Sequence, residues 1–116
     1  MTKIIVMGRS YLSEFEELIL TIVGILGEET YGNAIVEEIW NQISRKVNLN
    51  TVHITLYRLE DRGLVKSHYG GATALRGGRR KRLFDITNAG LNTIKIQQEQ
   101  RNKLWNLIPG LKMIAT

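Results

Sequence analysis

The feature that most constrains this chain is a change of hydrophobic period at Gly63. Up to that point apolar residues recur at helical spacing. Beyond it they alternate, and behind Thr87 the helical spacing returns. Ser13 and Glu16 have the spacing of a capping box, in which a hydroxyl and a carboxylate satisfy free amides at a helix start. Phe15, Leu18, Ile19, Ile22, Ile25 and Leu26 then predict a first helix from Ser13 to Leu26, closed by Gly27. After the polar turn Glu28-Glu29-Thr30, a second helix is expected from Gly32 or Asn33. Its buried stripe would be Ile35, Val36, Ile39, Trp40 and Ile43. Lys46-Val47-Asn48-Leu49 reads as a short strand or extended linker. Asn50 is the expected cap of a third helix, Thr51 to Arg62, with Gly63 as its left-handed stop.

Leu64 to Tyr69 and Arg80 to Ile86 read as the strands of a hairpin. The glycines at 70, 71, 77 and 78 predict a tip longer than a tight two-residue turn. Thr87 caps a fourth helix, Asn88 to Ile108, which Pro109-Gly110 ends. The centre of that helix, Gln97 to Asn102, is almost wholly polar, which makes its burial hard to anticipate.

Charge is concentrated in the hairpin. Met1 to Asp61 carries nine acids and five bases, a balance of −4. Arg62 to Phe84 carries seven bases (Arg62, Lys66, Arg76, Arg79, Arg80, Lys81, Arg82) and no acid, more than the whole net charge of +5. A cluster of this kind suits a phosphate-binding surface, because each neutralised phosphate releases counterions. A solvated basic loop is the competing reading.

Several function classes fall on inventory. A chain of 116 residues suits one domain, with the hairpin and first three helices over 12–86 and the last helix over 87–108. The absence of cysteine excludes disulfides, thiolate metal sites and cysteine nucleophiles, and fits a reducing compartment. The uncharged run Leu18 to Gly27 is too short to span a bilayer, and the apolar patch Ile4 to Met7 is too short for a signal core. A cytoplasmic protein is expected. His53 and His68 have no acidic cluster at metal spacing, and Asp61 and Asp85 are expected to pair with arginines of the basic segment. The hairpin glycines lack the Gly-Lys-Ser/Thr ending of a phosphate-binding loop. No enzyme, metal or cofactor is expected.

Three helices followed by a basic hairpin is the order of a winged helix-turn-helix. The expected fold is therefore mainly α with a small β-hairpin, followed by a carboxy-terminal helix. On helix 3, Val52, Leu56 and Leu59 share the packing side. Asn50, Thr51, Ile54, Tyr57 and Arg58 lie broadly opposite, with His53 at the margin. They can reach base edges or phosphates in a major groove. The wing would bring Arg76, Arg79, Arg80, Lys81 and Arg82 to the backbone or a minor groove, although strand alternation lets only some face DNA together.

The chain resembles the PadR family of bacterial transcriptional regulators over about Leu12 to Gly110. The matching stretches are Phe15-Glu16-Glu17-Leu18-Ile19-Leu20, Thr30-Tyr31-Gly32, and Leu56-Tyr57-Arg58-Leu59-Glu60-Asp61-Arg62-Gly63-Leu64-Val65. They continue with Gly77-Gly78-Arg79-Arg80-Lys81-Arg82 and Thr87-Asn88-Ala89-Gly90. The resemblance, to the short-tailed members, implies a homodimeric repressor on a pseudopalindromic operator, with the carboxy-terminal helix holding the dimer. It implies that Asn50, Thr51, Tyr57 and Arg58 belong to the recognition helix, and that Tyr31 touches a phosphate or supports the helix junction. His53 departs from the family's usual tyrosine, leaving a phosphate contact or simple packing at the helix edge as its two roles. Some short members sense small aromatic, drug-like effectors with a tryptophan on helix 4. That place here is Arg101, and Trp105 follows one turn later. Arg101, Leu104, Trp105 and Ile108 are thus candidates for dimer or ligand contact, with plain packing the alternative for Trp105. A different class of reading is an interaction module that binds a protein or small ligand through the same fold. RNA binding is disfavoured, since no aromatic-rich sheet offers base stacking.

Overall fold

A computed structural model describes residues 11–28, 30–70, 75–76 and 79–110, with backbone alone for 75, 76, 79 and 80. The first element, α1 (Glu14–Leu26), starts on the expected capping box: Ser13 Oγ accepts from the Glu16 amide and Glu16 Oε1 from the Ser13 amide. It buries Ile19, Leu20, Ile22 and Val23, more than one stripe, because the three later helices and a strand of the hairpin pack around it. Ile25, expected inside, is exposed.

Helix α2 (Gly32–Ile43) buries Ile35 and Ile39. Trp40 and Ile43 are each 54% exposed, against expectation. The helix meets its neighbours along one narrow row, and among the described residues no further element covers the flank. Ser44 ends it in the left-handed region, at φ 53°.

The start of α3 (Leu49–Asp61) corrects the sequence reading. Asn48, not Asn50, is the cap, accepting from the Thr51 amide at 3.2 Å. Leu49 thereby joins the helix, and no strand forms at 46–49. Val52, Leu56 and Leu59 are fully buried as expected. The helix stops in a Schellman arrangement: Gly63, at φ 76°, donates to the Glu60 carbonyl, and Leu64 to the Leu59 carbonyl.

Strands β1 (Val65–Tyr69) and β4 (Arg82–Ile86) pair antiparallel, Val65 opposite Ile86 and Tyr69 opposite Arg82. Gly70 donates to Lys81 O at 2.8 Å, continuing the ladder. Farther out, β2 (Leu75–Arg76) pairs with β3 (Arg79–Arg80), Arg76 opposite Arg79. Most of the expected long tip, residues 71–74, 77 and 78, lies outside the described residues. A bridge from Thr30 to Phe84, with Phe84 N donating to Thr30 O at 2.7 Å, fastens the wing to the helical body.

Helix α4 (Asn88–Trp105) is capped by Thr87 and ends one turn before the expected Ile108. Its polar centre is a docking surface. Gln97, buried, accepts from Leu12 N at 2.9 Å and donates to Leu12 O at 3.2 Å and Glu17 Oε1 at 2.6 Å. Arg101 holds Glu17 through both terminal nitrogens, and Tyr11 donates to Gln100. Among the described residues no helix is long and apolar enough to cross a membrane. The apolar patch Ile4 to Met7 lies outside the described residues.

Candidate nucleic-acid interface

Burying Val52, Leu56 and Leu59 turns the other side of α3 outward. Asn50, Thr51 and Arg58 are exposed there, and Ile54 and Tyr57 are each 45% exposed. An isoleucine and a tyrosine left open beside hydrogen-bonding and cationic groups make a face fitted to thymine methyls, base edges and phosphates. The cap at Asn48 places Asn50 and Thr51 in the first turn, the part of a recognition helix that contacts base edges in helix-turn-helix proteins.

His53 lies at the margin of this face, half-buried. Its ring stacks on Tyr57 at 6.4 Å with planes 25° apart, and its Nε2 edge occupies the space a side chain at Gly32 would take. A Cβ there would also stand 2.9 Å from Leu49 Cδ1, so the Thr30-Tyr31-Gly32 stretch ends in glycine for lack of room. Packing at the helix edge, one of the two roles open to His53, is the one its surroundings display.

Tyr31 caps the chain into α2 without a side-chain bond, and Lys81 Nζ sits 3.9 Å above its ring. The pair joins the α2 start to the wing. The backbone of Arg76, Arg79 and Arg80 forms β2 and β3, while their side chains lie outside the described residues.

Arg82 is turned back onto the protein, where Glu60 Oε1, Ser67 Oγ and the Tyr69 hydroxyl receive its guanidinium. The Ser67 hydroxyl and then the Arg82 guanidinium hold the Glu60 carboxyl below its ordinary range, against the opposing effect of burial. Burial works against the charge on Arg82, but Tyr69 and Glu60 outweigh it and raise its pKa. Neither Glu60 nor Ser67 stands out in the sequence. The only signal is a Leu-Glu pair at the end of a helix, with its partner a whole strand away.

Asp85, expected to pair with an arginine, instead faces His68 Nδ1 at 3.8 Å. The two come together because β1 and β4 are adjacent, Asp85 lying opposite Lys66 and His68 opposite Leu83. Asp61 is exposed at the end of α3.

On α4, Arg101 is committed to Glu17, whereas Leu104 and Trp105 are 67% and 52% exposed and Ile108 is open as well. A shallow cleft of about 350 Å³ between α1 and α4 is lined by Glu17, Thr21, Leu91, Ile94, Lys95 and Gln98. Among the described residues no group of three or more acidic or histidine side chains is gathered around a metal-sized space.

No protein-family model matches the chain, and no curated protein sequence matches it significantly. Solved structures do. A PadR family transcription regulator from Clostridium difficile superposes with a TM-score of 0.67 at 21% identity, over 82% of this chain and 94% of its own. A transcriptional regulator from Clostridium thermocellum gives 0.66 at 26% identity, over 85% and 90%. The Bacillus subtilis PadR in complex with operator DNA gives 0.64 at 15% identity, over 74% of this chain and 48% of the longer relative. In fold, this chain is similar to these PadR family structures, mainly helical with a two-stranded antiparallel hairpin.

Proposed function

We propose that this chain is a PadR-type transcriptional regulator that binds double-stranded DNA as a homodimer and represses from a pseudopalindromic operator. The observation that carries the reading is the open face of α3, with Asn50, Thr51, Ile54, Tyr57 and Arg58 beside a strongly basic wing. The open face supplies base readout, and Arg76, Arg79, Arg80 and Lys81 supply phosphate contacts. Dimerisation is assigned to α4. Gln97 and Arg101 occupy its inner side, while Leu91 and Trp105, separated by two heptads and so on one face, are left exposed. Within the same proposal, a small aromatic effector belongs in the α1–α4 cleft, whose Leu91 and Ile94 offer apolar walls.

Fluorescence anisotropy with the chain's own upstream DNA and a scrambled duplex, at low and near-physiological salt, tests this. Preference for the upstream DNA at the higher salt is the expected result. Arg79→Ala combined with Arg80→Ala should weaken binding to both duplexes and flatten the salt slope, by about 0.9 for each phosphate no longer neutralised. Thr51→Ala or Tyr57→Ala should instead reduce the preference between sequences. Equal and salt-labile binding to every duplex, including a selected genomic pool, would leave an interaction module as the better reading.

A further inference from the structure

Five wing cations are candidates for DNA contact, yet Arg82 is already engaged by the protein on all three nitrogens. Nε donates to Ser67 Oγ at 3.1 Å, Nη2 to Glu60 Oε1 at 3.1 Å, and Nη1 to the Tyr69 hydroxyl at 3.4 Å. Ser67 Oγ in turn donates to Glu60 Oε2, closing a ring of three side chains. The guanidinium carbon also lies 5.3 Å from the Tyr57 ring centre and 5.5 Å from that of Tyr69. These partners come from three elements: Tyr57 and Glu60 from α3, Ser67 and Tyr69 from β1, and Arg82 from β4.

We propose that Arg82 and Glu60 are positioning residues, a strut that sets the angle between the recognition helix and the wing, and that Arg82 makes no phosphate contact. The proposal rests on the DNA-binding reading above and narrows the set of residues that touch DNA. Two observations favour it. A carboxylate at the junction of two DNA-facing elements opposes binding to a polyanion, so Glu60 is out of place there unless it anchors something. Tyr57, on the open face of α3, has the Arg82 guanidinium against its ring, so the strut also restrains a side chain proposed to read bases. The planar fork of arginine can engage a carboxylate, a hydroxyl and a phenol together. A lysine ammonium, a point charge on a flexible stem, cannot span them.

The test turns on opposite expectations for the same variants. If Arg82 were a phosphate contact, Arg82→Lys would bind nearly as the parent does, and Arg82→Ala would flatten the salt slope by about 0.9. Glu60→Gln, by removing an acid and freeing Arg82, would tighten binding with the preference between sequences intact. The strut requires that Arg82→Lys and Glu60→Gln both lower the preference for operator over scrambled DNA, on the order of tenfold, with the salt slope of Arg82→Ala unchanged. A flattened slope, or unchanged preference in both variants, overturns it.

A second measurement needs no DNA. The chain has no native cysteine, so spin labels can be placed at Asn50→Cys and Arg79→Cys, with labelled chain diluted into unlabelled. The label-to-label distance distribution should be narrow in the parent and broad in Arg82→Lys and Glu60→Gln. Identical distributions overturn the strut. Should the parent show no operator preference, the DNA reading fails by itself, and the distance distributions still decide the strut.

Discussion

Two glycines in helices should respond to the same substitution with opposite sign. Gly24 lies inside α1, exposed, and a Cβ there would meet only Ile86 Cδ1, at an ordinary 3.7 Å. Gly24→Ala should therefore gain the helix-propensity difference, about 1 kcal/mol. Gly90 lies in the first turn of α4, pressed onto the turn between α3 and β1. A Cβ there would collide with the Leu64 carbonyl oxygen and stand 2.8 Å from Ile86 Cγ1. That carbonyl is backbone, buried, and already accepts the Thr87 amide at 3.0 Å, while Thr87 Oγ1 donates to Gly63 O at 2.7 Å. Relief requires α4 to lift off the wing base. Overpacking of this kind costs roughly 1–3 kcal/mol, and a weakened Thr87–Leu64 bond adds about 1 kcal/mol. The propensity gain offsets part of this, leaving a net loss of roughly 1–3 kcal/mol. For a domain of this size 1 kcal/mol moves Tm by roughly 4 °C. Circular dichroism melts at matched protein concentration should thus place Gly24→Ala about 4 °C above the parent and Gly90→Ala roughly 4–12 °C below it. Matched concentration matters because the Tm of the proposed dimer would depend on it. If Gly90→Ala melts with the parent or above it, the close approach of α4 to Leu64 is wrong, and with it the reason for a glycine in Thr87-Asn88-Ala89-Gly90.

Gln97→Ala strands the buried amide of Leu12 and should cost roughly 1–3 kcal/mol in urea unfolding, and Arg101→Ala, which takes a half-exposed guanidinium from the largely buried Glu17 carboxylate, should cost roughly 1–3 kcal/mol as well. Acid should loosen the strut. The Glu60 pKa is lowered in the folded chain from an ordinary 4.5, so its contribution is present above that value and is lost as pH falls through the folded one. Melts between about pH 6 and pH 3 should show a steeper loss for the parent than for Glu60→Gln. Glu14, lowered by its hydrogen bond to Arg45, adds an acid loss common to both proteins and drops out of the difference. Parallel pH profiles would remove Glu60 as a contributor.

What is legible in the chain is what neighbouring residues decide among themselves. The Ser13–Glu16 box, the Gly63 stop, the Thr87 cap and the inward row Val52, Leu56, Leu59 all depend on spacings of a few residues, and the structure has each in place. Errors begin where two local solutions compete. Asn48 and Asn50 are both acceptable caps, and the choice goes to Asn48, which sets Leu49 against Gly32 at the junction of α2 and α3. Trp40 and Ile43 continue a proper helical stripe, and they stay outside because among the described residues no element packs on that flank of α2. The polar centre of α4 is unreadable for a related reason. Gln97 is buried by exchanging two hydrogen bonds with the backbone of Leu12, a partner 85 residues away.

The basic segment shows the same limit where it bears on function. Counting charge locates the wing correctly, because seven cations without an acid within one stretch is a property of the sequence alone. Counting cannot say which cations are free, since that depends on carboxylates elsewhere in the chain. Glu60 is 22 residues from Arg82, on the other side of the helix-to-strand switch, and pairs with it only because α3 and β4 are brought to either side of Ser67. Lys81, the adjacent residue, is spent differently, against the ring of Tyr31. A cation–π contact on an aromatic face leaves ammonium hydrogens for a phosphate, whereas a guanidinium held at all three nitrogens has little left to offer. On the proposal above, two neighbouring cations of the wing are divided between contact and alignment, and the division follows from where each side chain's partner lies rather than from the charge the two share.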